Sequence, residues 1–237
     1  KNLASTVIKN WDNKTWLSSR DYIQSFNCFL IKKINLNSKS KILDIGCGRG
    51  KILGFLSSKL KLKNKPLGID IISHKDKDKR IKFKKINASK FFSKNQNKFD
   101  LILIKQTIHL LNQKEIKRLL NLSKKNLSQN GKILIFSLDT SENELPTFKL
   151  MKTKLTKSLK RDKKILKLIK KLYPYKKNKF IYKVNINKKK YLRMIQSRYI
   201  STLLSLTKEE LQKGMKEINY RYKDNIKFSD KLICVTL

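Results

Sequence analysis

An α/β fold built on a seven-strand, mostly parallel sheet is what this sequence predicts, and three observations carry the prediction. Short apolar segments of strand length alternate with stretches of helical period. The strand-like segments are close to continuously apolar, as strands covered on both faces must be. The first of them runs directly into "DIGCGRG", a glycine-rich turn that opens a helix. Strand-helix-strand order of this kind places helices on both faces of a parallel sheet.

The elements follow in chain order. Residues 1–40 carry Trp11, Trp16, Tyr22, Phe26, Phe29 and Leu30 at spacings near three or four, which predicts short helices leading into the domain. Residues 41–45 are a buried strand and 51–60 the helix after it. Residues 66–71, 81–86 and 99–104 are the second, third and fourth strands, and "HKDKDKR" between the second and third reads as a surface turn. Residues 114–127 are a helix, and Asn130-Gly131 supplies a turn before the fifth strand, "KILIFSL". Between Pro146, suited to a first helical turn, and a terminating Pro174, the residues Leu155, Leu159, Leu166, Ile169 and Leu172 run down one face of a single long helix. Residues 179–186 form a strand and 188–204 a helical stretch. "TKEE" at 207–210 is a capping box that opens a further helix, and a last strand lies within 226–237.

A chain of 237 residues with 39% hydrophobic content, seven glycines and three prolines belongs with single globular domains, despite a mean hydropathy of -0.52. No run approaches the roughly 18 apolar residues of a membrane span, and the first residues lack the apolar core of a signal peptide, so a cytoplasmic protein is expected. Cys28, Cys47 and Cys234 lie far apart without ligand spacing, which argues against a disulfide framework or a metal site. The formal charge of +41 invites an RNA or lipid partner. Its make-up argues otherwise: 50 lysines stand against eight arginines, whereas phosphate recognition favours the arginine fork. With Ala4 and Ala88 the sole alanines, the excess reads as codon bias placing lysine wherever a solvated charge is tolerated.

The glycine loop excludes two nucleotide sites. A phosphate loop needs Gly-Lys-Ser/Thr, but Ile52 follows Gly50-Lys51 and Ile45 occupies the place of its first glycine; a dinucleotide loop needs its third glycine where Lys51 stands. What remains is D-x-G-x-G-x-G, Asp44 to Gly50.

On "LDIGCGRG" the chain resembles the class I S-adenosylmethionine-dependent methyltransferases. The resemblance implies a Rossmann-like core with S-adenosylmethionine as cofactor and no metal. In that arrangement Asp44 answers the methionine ammonium, and Gly46, Cys47, Gly48 and Gly50 lie against the nucleoside. Asp70 of "PLGIDI", with Ile71 beside it, accepts the ribose hydroxyls. Asn87, followed by Ala88, stands where the family has an acid after strand three; its amide oxygen either meets the adenine amino group or belongs to an ordinary turn. "FDLILIKQTIHLL" resembles the family's fourth-strand motif and brings Lys105, Gln106 and His109 near the transferable methyl group. His109, ordinarily titrating near 6.5, is a candidate base or else a packed structural histidine.

No N-P-P-Y/F tetrapeptide or ribose-methylating tetrad is visible. "IKQTIHLL" and the stretch from "KKKYLRMIQSRYIS" to "KEELQKGMKEI" resemble the small-molecule branch, of methyltransferase type 11 or trans-aconitate methyltransferase kind. That branch implies three parts: residues 1–40 closing the cofactor side, 41–140 the core, and 141–237 a helical cap with the final strands. Arg198 and Tyr199 would then face the substrate, with Trp16, Arg20 and Tyr22 opposite, each having core packing or a surface ion pair as its other reading. The expected activity is methyl transfer to a small metabolite, anionic if Arg198 forks a carboxylate. An RNA methyltransferase using the lysine-rich surface is the alternative. A silent binding protein of the same fold is a further one, opposed by the intact Asp44, Gly46, Gly48, Gly50 and Asp70.

Overall fold

The computed structural model describes residues 15–237, so Trp11 lies outside the described residues. Seven strands, β1 (Ile42–Ile45), β2 (Leu67–Asp70), β3 (Lys82–Lys85), β4 (Phe99–Lys105), β5 (Leu127–Leu138), β6 (Lys176–Asn187) and β7 (Asn225–Thr236), form one sheet in the order β3-β2-β1-β4-β5-β7-β6. The first five are parallel, and β7 enters antiparallel between β5 and β6. Both edges carry the lysine that discourages further pairing, Lys82, Lys84 and Lys85 on β3 and Lys176, Lys177 and Lys183 on β6.

The period of two along the central strands sorts their side chains into two cores. Leu101, Leu103, Leu134 and Phe136 face one side, under α1 (Arg20–Lys33) and α2 (Lys51–Leu60). Ile102, Ile104, Ile133 and Ile135 face the other, with Phe91 and Phe92 of α3 (Ala88–Lys94) and Ile116, Leu119 and Leu120 of α4 (Gln113–Lys125). The long helix α5 (Lys149–Leu172) contributes to both: Met151 and Leu155 enter the first core, Ile165, Leu166 and Ile169 the second. It therefore crosses from one face of the sheet to the other, over the ends of β4 and β5. Helices α6 (Lys188–Gln196) and α7 (Lys208–Arg221) fill the connection from β6 to β7, and the capping box expected at Thr207 is formed with Glu210.

Three segments depart from expectation. The turn at Asn130-Gly131 is a bulge inside a longer β5: Leu127 pairs with Phe99 and Lys132 with Leu101, so residues 128–131 loop out, and a Cβ on Gly131 would lie 2.5 Å from the Phe99 carbonyl oxygen. The helical stretch 188–204 breaks after Gln196, where Arg198 takes φ +54°, and resumes only as a short turn at Ser201–Leu203. Residues 71–81 are not a plain surface turn, for His74 and Asp78 within them are buried, and no helix joins β2 to β3.

The link from β5 into α5 is held by Asp139, whose fully buried carboxyl accepts the Ser141 N–H at 2.9 Å and the Ser141 hydroxyl at 2.8 Å, with the Lys179 ammonium at 3.1 Å. Burial raises this carboxyl, but the donors of Ser141, Lys179 and Glu142 outweigh it and bring it down to about 2. A folded value below the unfolded one, about 3.9, stabilises the fold above that pH, and the contribution is lost as pH falls toward 2. Asp139→Ala is therefore expected to cost about 1.5–3 kcal/mol at neutral pH and to flatten the acid limb of a Tm-versus-pH curve; an unchanged limb contradicts the assignment.

Candidate active site

The strand order reverses between β1 and β4, and in open α/β sheets the crevice outside the carboxyl ends of such strands is where ligands bind. The loop after β1 opens there. Gly46, Gly48 and Gly50 all have left-handed φ, +76°, +54° and +69°, a region that strains any residue with a Cβ. Their surroundings differ. A Cβ on Gly46 would lie 2.2 Å from the Thr107 hydroxyl, and one on Gly50 2.2 Å from Ile81, so these two glycines serve close packing within the protein. At Gly48 a Cβ would meet nothing within 4 Å, and this is the bare backbone that faces open space.

Asp70 ends β2 and ties this loop to the next. One carboxylate oxygen accepts the Gly48 N–H at 2.8 Å and the other the Ile72 N–H at 2.9 Å. Ile71 between them leaves 66% of its surface exposed, unusual for so large an apolar residue. The Cys47 sulfur packs on Gly68, and burial pushes its thiol far above the ordinary range. Arg49 is buried in the loop and grips Asp76 through Nε at 2.9 Å, fastening residues 71–81 over it. Asn87 caps α3, its amide oxygen accepting the Lys90 N–H at 2.8 Å, with Ala88 the first helical residue. The turn reading of Asn87 is the one that this contact supports.

At the end of β1 the Asp44 carboxyl is buried, and its Oδ1 has no hydrogen-bond partner. Burial raises it to about 7 against the opposing pull of Lys105. Lys105 closes β4, with its ammonium 5.2 Å from the Tyr22 ring centre and 5.3 Å from that of Phe26, and it donates to Gln106 Oε1 at 3.1 Å. Tyr22 is fully buried with an unpartnered hydroxyl. Trp16 donates its indole N–H to buried Asp230 at 2.8 Å and lies edge-on to Tyr199 at 5.4 Å; the Tyr199 hydroxyl in turn meets that of Tyr191 at 2.9 Å. Trp16, Tyr22 and Tyr199 thus join one core. Arg20 is exposed at the start of α1 and stands apart. Arg198 turns back on its own segment, donating to the Leu203 carbonyl at 2.6 Å.

A second cleft lies beside Gln106, between the turn Ile108–Leu110 and helix α5, lined also by His109, Leu138, Leu155, Asp162 and Thr202. Burial and the nearby Arg161 charge lower His109 to about 4, so it is neutral at pH 7 and a weaker base than a free imidazole. Asp162, 5% exposed, is a feature that the reading of the sequence missed. The signal was present, because 162 falls inside the apolar stripe 155, 159, 166, 169 as its lone acid. No local signal announced Asp230 or Thr107, whose partners lie far away in sequence. Among the described residues no group of three or more His, Cys, Asp or Glu is placed to hold a metal, and no helix is long and apolar enough to cross a membrane.

The family described as "Methyltransferase domain" matches residues 36–198. No curated protein matches the chain in sequence. Among solved structures, a candidate methyltransferase from an antibiotic biosynthesis pathway of Anabaena variabilis superposes with a TM-score of 0.62 at 14% identity, over 90% of this chain and 96% of that one. The plantazolicin methyltransferase BpumL, in complex with a monoazolic desmethylPZN analog and SAH, gives 0.54 at 17% identity over 98% and 88%. The precorrin-6y C5,15-methyltransferase of Geobacter metallireducens gives 0.52 at 12% identity over 95% and 94%. At such identities the likeness is one of fold.

Proposed function

Because the chain belongs to the methyltransferase-domain family, we propose that it transfers the methyl group of S-adenosylmethionine to a small molecule, one polar group of which enters the cleft under α5. The observation that carries this reading is the loop at Gly48: open backbone, joined through its N–H to Asp70, on the turn that follows Asp44, whose buried Oδ1 has no hydrogen-bond partner. These residues fit the cofactor. Gly48 leaves space that a Cβ would fill, Asp44 has a buried oxygen without a partner, and Ile71 holds out an apolar surface at the crevice.

When bound, S-adenosylmethionine supplies a methyl group already activated on a positively charged sulfur. The chain's part is alignment. In this reading the remaining lone pairs of Asp70 accept the ribose hydroxyls, Ile71 and Ala88 border the adenine with Asn87, and the Asp44 carboxylate faces the ammonium. Gly46, Cys47 and Gly50 hold the loop in shape. Lys105 and Gln106 separate the methionine end from the cleft, and neutral His109 takes the acceptor's proton where the acceptor carries one. Trp16, Tyr22 and Tyr199 pack in the core behind the site, and Arg20 and Arg198 lie outside the lining of the cleft. Arg198, the residue expected to fork an anionic acceptor, is absent from the cleft's lining and donates one Nη1–H to the Leu203 carbonyl. By the same reading, residues 15–40 close the cofactor side, 41–140 form the core, and 141–237 supply the cap and final strands of one cytoplasmic enzyme.

RNA as the acceptor would draw on the lysine-rich surface, and turnover separates the two. Incubation with labelled S-adenosylmethionine and either total RNA or a fractionated metabolite pool is expected to label the metabolites. Efficient, site-specific labelling of RNA overturns the small-molecule reading.

A further inference from the structure

Helix α5 carries ten lysines, one arginine and a single acid, Asp162. In a chain that places lysine at nearly every tolerant position, the one carboxylate of this helix sits on its buried face. Asp162 is 5% exposed, and its Oδ1 has no hydrogen-bond partner. The nearest cation, Arg161 Nε at 3.7 Å, is beyond hydrogen-bond reach, on a side chain that is 55% exposed. Across the same cleft the Thr202 hydroxyl is also buried without a partner. A buried carboxylate with an unmade bond is costly, and an apolar side chain of similar size would pack the stripe better. Stability alone does not account for this residue.

We propose that Asp162 selects the methyl acceptor: its carboxylate Oδ1, which makes no hydrogen bond within the chain, accepts one from an N–H or O–H of the bound small molecule. The enzyme then takes amines, amides and hydroxyl compounds in preference to carboxylates. The proposal rests on the methyltransferase reading, since the cleft that Asp162 lines is the one assigned to the acceptor. Its geometry agrees. The cleft has about 30 Å³ of room, enough for the donor group of a ligand and not for its body, and Asp162 and Thr202 offer polar atoms to that group inside a rim of Leu138, Leu155 and Ile200. A carboxylate in the same place would face the Asp162 charge at close range.

The test uses the full chain saturated with S-adenosylhomocysteine and five ring compounds of one size, benzylamine, benzamide, phenol, benzoate and toluene, with affinities read by ligand-observed NMR. The three donor-bearing compounds are expected to bind at least tenfold more tightly than benzoate or toluene. Asp162→Leu should remove that preference, leave S-adenosylhomocysteine affinity unchanged, and raise Tm by about 2–4 °C as a buried carboxylate without a hydrogen bond at Oδ1 disappears. Benzoate binding as tightly as benzylamine overturns the proposal, as does a lowered Tm with the preference intact, which makes Asp162 a structural residue. Should the leucine variant not fold, Asp162→Asn keeps the size and removes the charge. Benzylamine should then weaken about tenfold relative to phenol, and an unchanged ratio is equally fatal. Failure of S-adenosylhomocysteine to bind sinks the methyltransferase reading by itself, while the preference among the five compounds, measured on the cofactor-free protein, still decides the role of Asp162.

Discussion

Gly46→Val is expected to abolish cofactor binding and to destabilise the chain by about 2–5 kcal/mol, the sum of a left-handed φ imposed on a β-branched residue and of overpacking. The loss originates within the protein. At φ +76° the new Cβ would lie 2.2 Å from the Thr107 hydroxyl, so the loop after β1 and the loop after β4 are forced apart, and both border the crevice. Gly48→Ala is the control. Its Cβ meets no protein atom within 4 Å, so the chain should fold with only the conformational cost of about 1–2 kcal/mol, while the added methyl group stands where the cofactor must approach. Denaturant titration combined with calorimetry of S-adenosylhomocysteine binding separates the two, one variant losing fold and binding together, the other losing binding with the fold kept. Full affinity in either removes the glycine loop from the site.

The second large effect is expected at Asp70. Replacing it by alanine deletes the acceptor of the Gly48 and Ile72 N–H groups, at 2.8 and 2.9 Å, together with the lone pairs assigned to the ribose. Hydrogen bonds to a charged group contribute about 1.5–3 kcal/mol, which corresponds to a drop in S-adenosylhomocysteine affinity of about 10- to 150-fold. Asp70→Asn keeps one acceptor oxygen and should fall between. An alanine variant that binds as the native chain does would leave Asp70 as a loop tie alone.

Much of the site was legible because its logic is local. A buried strand followed by an acid and three alternate glycines can be read without knowing what lies above it, since the left-handed backbone at 46, 48 and 50 is a property of the segment itself. The same holds for Asp70, placed by the end of its own strand, and for the capping box at Thr207. The purpose of each glycine was less legible. Gly46 and Gly50 make room for Thr107 and Ile81, residues 61 and 31 positions further on, and of the three only Gly48 faces open space.

By itself the sequence determined the α/β class, the order of the strands, the family, and the acid-glycine loop, but not the short helix α3, because propensity, periodicity and turn chemistry act over a few neighbouring residues. The tertiary structure alone decided everything that depends on distant partners. It bonded Trp16 to Asp230 across 214 positions, turned Arg198 onto the Leu203 carbonyl, and extended β6 to 12 residues by pairing it along the whole of β7. It also laid α5 across both cores so that the lone Asp162 came to rest against the cleft beside His109, its Oδ1 without a hydrogen bond. The physical reason is one of range. A backbone conformation is set by its own residue and its near neighbours, but whether a buried polar atom finds a partner depends on which distant segment folds against it.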